Sequence, residues 1–184
     1  KGLMVGLECV KDRQTKERAI EEREEVVNAA FYRGLLVLGA GGGARAVLFA
    51  LKDAGFTDIR VVNRTLARAR ELADRFGPGV TAHGWEEAAA LSTDAGLLVN
   101  TSPLGMDGKP GSPLPVNMTG KPGWAFDAVY TPEHTQFRGQ CEAMGAEFLS
   151  GYELYIHQGI HAFRIFTGGL DADEDWVRAT LKGA

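Results

Sequence analysis

Residues 35–46, LLVLGAGGGARA, constrain this chain more than any other stretch. A short apolar run, 35–38, ends in Gly39-x-Gly41-x-x-Ala44 and passes directly into a helix-like pattern. That order reads as a strand, a tight turn and a helix N-terminus. In such a turn the first glycine allows the bend. The second lets a pyrophosphate approach the backbone, and a small third residue lets helix and strand pack closely. The N–H groups of the turn and first helical residues, including Gly42 and Gly43, then face the anion. Glycine-rich turns are common, so the flanking strand and helix carry the weight of this reading.

A second signal follows about two dozen residues on, at Asn63-Arg64-Thr65-x-x-Arg68. In dinucleotide-binding units a carboxylate near this point accepts the ribose 2′-hydroxyl, whereas arginine suits a 2′-phosphate. The apolar run 59–62 ends at Asn63 with no Asp or Glu at its tip. Arg64 and Arg68, one helical turn apart, can each present a planar fork to a phosphate. This pattern predicts NADP as cofactor. The competing reading is a solvated, basic helix start.

The 184 residues fit one domain, or one domain with appendages. Apolar residues make up 45% and charged residues 24%, enough to build a core. A formal charge of −4 gives no reason to expect nucleic acid or an anionic membrane surface as partner. No apolar run has the length of a membrane span. Cys9 and Cys141 form no metal or CxxC pattern, which points to a reducing, cytoplasmic location. The chain starts at Lys1 without methionine, so its start reads as trimmed.

Periodicity lays out alternating elements. Residues 3–10 read as a strand, 11–18 as a charged connector and 20–32 as a helix bearing Val26, Val27, Ala30 and Phe31. Strand 35–38, helix 43–54, strand 59–62 and a helix marked by Leu66, Ala69, Leu72, Ala73 and Phe76 follow. A short helix over 85–91, strand 96–100, a proline- and glycine-rich loop over 103–123, strand 125–129 and helix 134–144 come next. Helices over 151–167 and 173–182 end the chain. Strands alternating with helices predict an α/β fold with a parallel, doubly wound, Rossmann-like sheet. Ligands bind such sheets at the carboxyl ends of the strands, where the glycine turn, Asn63 and Asn100 fall.

Five runs between Leu36 and about Leu181 resemble the NADP-binding domain and C-terminal helices of shikimate dehydrogenase. They are VLGAGGGARA, VVNRTLARARELA, VNTSPLGM, FDAVYTPEHTQF and GYELYIHQGIHAFRIFTG. The resemblance implies that Asn63, Arg64, Thr65 and Arg68 hold the 2′-phosphate end. It implies that Asn100, Thr101 and Ser102 line the cofactor at the end of the fourth strand. Val129 and Tyr130 would sit near the nicotinamide, Gly151 would face its carboxamide, and Gln158 would face the substrate. With Gly39, Gly41, Gly42, Gly43 and Ala44 these complete the expected cofactor set.

The opening segment does not fit that family, whose substrate domain supplies a catalytic lysine and aspartate. Residues 1–41 are instead similar to a C-terminal stretch of class III pyridoxal-phosphate aminotransferases of the 4-aminobutyrate type. The two resemblances overlap on residues 36–41. A crossover inside a strand reads as an engineered chimera: a grafted β-α element, 1–41, joined to an NADP-binding unit, 36–184. The expected function is then a catalytically silent NADP(H)-binding module, with no catalytic residue and Gln158 a vestigial substrate contact. Two alternatives stand beside it: an active NADP-dependent shikimate or quinate dehydrogenase, and a purely structural chimera. His157 and His161 are spaced i, i+4 but lack an acidic partner, so no metal site is expected. Tyr152, Tyr155, Phe163 and Phe166 read as packing residues of a helix that would touch the substrate domain. Part of that face should lie exposed or be covered by a second copy, giving a homo-oligomer.

Overall fold

The computed structural model describes residues 34–182, with residue 117 excepted. The expected strand 3–10, connector 11–18 and helix 20–32 lie outside the described residues.

The run Leu35–Leu38 forms β1, and all four side chains are buried. Helix α1 (Gly42–Asp53) follows after three residues. Strand β2 (Ile59–Asn63), helix α2 (Leu66–Phe76) and strand β3 (Val80–Gly84) complete the first half. A 3₁₀ turn at Trp85–Glu87 leads into the short helix α3 (Ala88–Ser92). Strand β4 (Leu97–Asn100) and strand β5 (Trp124–Asp127) flank the long loop. Helix α4 (Gln136–Ala143), strand β6 (Glu147–Leu149), helix α5 (Gly151–Phe166) and helix α6 (Glu174–Lys182) finish the described chain.

The six strands form one parallel sheet in the order β3-β2-β1-β4-β5-β6. This is the doubly wound, Rossmann-like α/β fold, with β1 at the point where the order reverses. Alternation along β1 explains the two layers of helices. Leu35 and Val37 face one apolar cluster with Val47, Leu48 and Leu51 of α1 and Ala69 and Leu72 of α2. Leu36 and Leu38 face the other, with Ala88 of α3 and Phe137 and Cys141 of α4. Each fully buried Leu or Val of this kind contributes about 1.5–3 kcal/mol.

Two strands went unread in the sequence. β3 is Val-Thr-Ala-His-Gly and β6 is Glu-Phe-Leu, and both are edge strands with mixed burial. The expected helix 85–91 divides into the 3₁₀ turn and α3. The remaining described elements match their sequence ranges to within two residues.

The amino ends of the strands are tied by charge. Arg60 of β2 donates through Nε and Nη2 to Asp58 at 3.1 and 2.8 Å, and through Nη1 to Asp94 at 2.7 Å. Asp58 precedes β2 and Asp94 precedes β4, so one guanidinium bridges both approaches to the sheet. Gly34 sits beneath this clamp at φ +71°, where an added Cβ would collide with the Asp58 carboxylate.

A candidate dinucleotide cleft at the carboxyl ends of the strands

The opposite rim of the sheet opens into a cleft of about 590 Å³. Its floor is Gly39, Ala40 and Gly41, between β1 and α1. One wall is Asn63, Arg64, Thr65 and Arg68, from the end of β2 and the start of α2. The other is Thr101, Ser102, Pro103 and Leu104, after β4, with Lys109 farther along that loop and Trp85 after β3.

The glycines divide the work. Gly39 has φ +114°, and a Cβ there would lie 2.7 Å from the Thr101 Oγ1 and 2.9 Å from the Ser102 nitrogen. Only glycine lets the loop after β4 come this close to the turn. Over Gly41, by contrast, a Cβ would meet nothing within 4 Å, so this position opens on space that a ligand can enter. Gly42 and Gly43 begin α1 and are exposed, and Ala44 is buried against the core.

The helix starts at the cleft lack internal compensation. Neither α1 nor α2 has a side-chain cap bond or an acidic residue in its first turn. Elsewhere Thr135 caps α4 and Ser150 caps α5 with side-chain oxygens. Uncapped N–H groups and the positive end of a helix dipole favour an external anion. Asn63 Nδ2 donates to the Thr65 carbonyl at 2.9 Å, which bends the chain from β2 into α2. Arg64 and Arg68 are exposed, and neither pairs with a carboxylate among the described residues. Glycine floor, open approach and unpaired cations fit a phosphorylated dinucleotide.

A buried polar pair supports the β4–β5 side. Asn100 and Asp127 occupy facing register positions, and Asn100 Nδ2 donates to Asp127 Oδ1 at 2.8 Å. The same Asn100 amide oxygen accepts from the Ser102 N–H at 2.9 Å and the Ser102 hydroxyl at 2.7 Å. The Asp127 carboxylate also accepts from the Val129 N–H at 2.9 Å and the Thr135 hydroxyl at 2.7 Å. Burial pushes the Asp127 carboxyl above its ordinary pKa, while the Thr135, Val129 and Asn100 donors pull it back. These hydrogen bonds make Asp127 an anchor for both loops.

Val129 and Tyr130 line an adjoining cavity of about 310 Å³ that shares Thr101, Ser102 and Pro103 with the main cleft. Tyr130 stacks on Tyr155 of α5, with centroids 4.7 Å apart and planes 9° apart. Gly151 is buried under this loop: a Cβ would lie 2.5 Å from the Val129 carbonyl oxygen and 2.6 Å from that of Asp127. Gln158 lies elsewhere. It lines a separate groove of about 700 Å³ between α5 and α6, with Phe163, Trp176 and Leu181. Thus the structure does not bring Gln158 to the dinucleotide cleft. On this side of the molecule Phe166 and Trp176 are 87% and 67% exposed.

Trp85, Leu104 and Lys109 were missed from sequence. Trp85 follows the unread β3, and the other two sit in the long loop, where periodicity gives no position. Among the described residues no cluster of three or more metal-ligating side chains occurs. No helix among them is long and apolar enough to cross a membrane.

Comparison with known proteins gives a consistent picture. Residues 21–101 match the family model of shikimate / quinate 5-dehydrogenase. The NADP(+)-type shikimate dehydrogenase of Brucella ovis is 46% identical over 136 residues, covering 72% of this chain and 47% of the relative. That of Mesorhizobium japonicum is 46% identical over 133 residues, covering 72% and 48%. The chain spans about half the length of the curated relatives it matches. Among solved structures, the quinate dehydrogenase of Corynebacterium glutamicum in complex with NAD has TM-score 0.76 at 31% identity, covering 89% of this chain and 60% of that one. The shikimate 5-dehydrogenase of Thermus thermophilus in complex with NADP(H) and shikimate has TM-score 0.66 at 37% identity, covering 84% and 58%.

These findings correct the expected function. Identity of 46% to dehydrogenases favours the active-enzyme alternative over a catalytically silent binding module.

Proposed function

We propose that the chain carries the NADP(H)-binding part of an active shikimate or quinate dehydrogenase. The observation that carries this reading is the cleft itself, in which the glycine turn and the unpaired Arg64 and Arg68 share one surface. The relatives named above support it.

In this reading the N–H groups at the start of α1 bind the pyrophosphate, and Gly41 leaves room for its approach. Asn63, Arg64, Thr65 and Arg68 hold the 2′-phosphate. Asn100 acts behind the wall by fixing Ser102, while Thr101 and Ser102 border the cofactor. Val129, Tyr130 and Gly151 form the nicotinamide end, with the Tyr130–Tyr155 stack holding that loop against α5. NADP(H) held there would supply hydride-transfer chemistry toward the carbon bearing the substrate hydroxyl. The contribution of residues 34–182 is orientation, which can supply a large share of a rate enhancement. A reducing, cytoplasmic setting is part of the reading, supported by the free, buried Cys141. Coverage of the exposed α5–α6 face by a second copy also belongs to it.

The test is a titration with NADP and NAD in parallel, followed by shikimate- and quinate-dependent reduction of NADP at 340 nm. Tighter NADP binding and turnover that a Gly41→Asp variant abolishes are expected. Equal affinity for both cofactors would overturn the cofactor assignment. Absence of turnover with both acids would overturn the activity.

A further inference from the structure

Three cations line the main cleft: Arg64, Arg68 and Lys109. No carboxylate is among its lining residues, although the chain as a whole carries a formal charge of −4. Lys109, like the two arginines, makes no ion pair among the described residues. Asp107, two positions earlier in the loop, lines the adjoining cavity instead.

The location of Lys109 is fixed by backbone. Its N–H donates to the Met106 carbonyl at 2.9 Å, and its own carbonyl accepts from the Gly105 N–H at 2.9 Å. This turn continues directly from Leu104, whose carbonyl accepts from Asn100 Nδ2 at 3.2 Å and whose N–H donates to the Ser102 hydroxyl at 3.3 Å. Lys109 therefore stands on a loop pinned to the buried Asn100–Asp127 pair, despite its own exposure.

The sheet order then separates the cations. β2 and β4 lie on opposite sides of β1. Arg64 and Arg68 belong to the β2 side, and Lys109 belongs to the loop after β4. Neighbouring strands are about 4.8 Å apart, so the tips of β2 and β4 are separated by about twice that. The glycine turn, where a pyrophosphate meets the helix N-terminus, lies between them. A ligand with a 2′-phosphate on the β2 side presents its pyrophosphate toward the β4 side.

We propose that Lys109 is a third phosphate-binding cation of this cleft, acting on the pyrophosphate and not on the 2′-phosphate. A lysine ammonium on a flexible stem suits this task, because it acts as a point charge and needs no bidentate geometry. Lys109 would then raise affinity for phosphorylated dinucleotides as a class, while Arg64 and Arg68 select among them. The proposal rests on the NADP(H) reading above, and its test separates the two.

The probes are ADP-ribose, which has the pyrophosphate without a 2′-phosphate, and 2′-AMP, which has the reverse. The full chain is titrated with each, alongside NADP, as wild type, Lys109→Ala and Arg64→Ala. Lys109→Ala is expected to weaken ADP-ribose about tenfold, the scale of one charge-assisted contact, and to leave 2′-AMP unchanged. Arg64→Ala is expected to do the opposite, and Lys109→Arg to retain ADP-ribose. Unchanged ADP-ribose binding in Lys109→Ala overturns the proposal, as does a loss confined to 2′-AMP or shared equally by both probes. Normal NADP binding alongside any of these results leaves the cofactor reading standing. A wild-type chain that binds none of the three overturns both. Lys109 is exposed, so an unchanged melting temperature confirms that the variant is folded.

Discussion

Asn100 and Asp127 face each other across the β4–β5 ladder, joined by a 2.8 Å hydrogen bond, and between them they hold the loop that walls the cleft and the loop that lines the adjoining cavity. Asn100 secures the chain from Ser102 to Leu104, and Asp127 secures Val129 and Thr135. Truncation by Asp127→Ala leaves three donors without an acceptor. At about 1–3 kcal/mol for each buried unsatisfied group, a loss of about 3 kcal/mol or more is expected in denaturant unfolding. Asp127→Asn keeps one oxygen for Asn100 and the Val129 N–H, and should cost less than half as much.

The same carboxylate has a pH signature. Its folded pKa is raised above the ordinary value of 3.8, so the folded state favours the protonated form. Stability from this group is full below the unfolded pKa and is lost as pH rises through the folded pKa. Compared with Asp127→Asn, the wild type should therefore gain relative stability as pH falls from neutrality toward the ordinary carboxylate range. Urea melts of both proteins at neutral pH and at mildly acidic pH test the sign. A relative loss at the lower pH would contradict it.

Cofactor choice should follow the two arginines. Arg64→Ala and Arg68→Ala are each expected to weaken NADP by about 1–3 kcal/mol while changing NAD little. The contrast should shrink in high salt, because both side chains are exposed and screened. Fluorescence titration of the two cofactors at low and high ionic strength checks both points.

Cys141 should be inert in the native state. It is fully buried, and burial, with Asp127 and Glu142 nearby, pushes its thiol up to about 12. Thiolate is the reacting species, so labelling by a disulfide reagent in mildly alkaline buffer requires unfolding. In a Cys9→Ser background the labelling rate should rise only across the unfolding transition. Prompt labelling in native buffer would show that the Phe137–Cys141 side of the core opens locally.

Arg178 ties helix α6 to α5 by charge. Arg178 donates to both Glu153 oxygens, at 2.8 and 2.7 Å, and to Glu174 on its own helix at 2.8 Å. The Arg178 hydrogen bonds hold the Glu153 carboxyl below its ordinary range. This attachment is present at neutral pH and is lost as pH falls through the Glu153 folded pKa. Arg178→Met should increase amide exchange in residues 174–181 with little effect on β1. Because the pair is partly exposed, the change in global stability should stay near about 1 kcal/mol.

Much of the fold was legible because its signals are local and strong. The run Leu35–Leu38 is wholly apolar and ends in glycine, and α2 combines a regular apolar stripe with a glycine stop. β3 and β6 escaped notice because edge strands need bury little: Thr81 and Glu147 face solvent, and neither segment alternates cleanly. The floor and the β2 wall of the cleft were also readable, since glycine spacing and Arg64/Arg68 act within a few residues of each other. The position of Lys109 depends on turn bonds within the long loop, and the Asn100–Asp127 pair on a contact across the sheet, and no sequence period encodes either. Gln158, whose expected substrate contact came from the resemblance alone, lines the α5–α6 groove.

The Arg60 clamp lies at the rim opposite the glycine turn, with the whole length of the strands between. Mechanical closure of the sheet and recognition of a ligand are thus assigned to separate ends of the same strands. Drift at one end need not be felt at the other. Substitutions at Asp58, Arg60 or Asp94 should alter how long the protein survives heat without altering what it recognises. That gives a protein engineer a rim on which durability can be tuned independently of specificity.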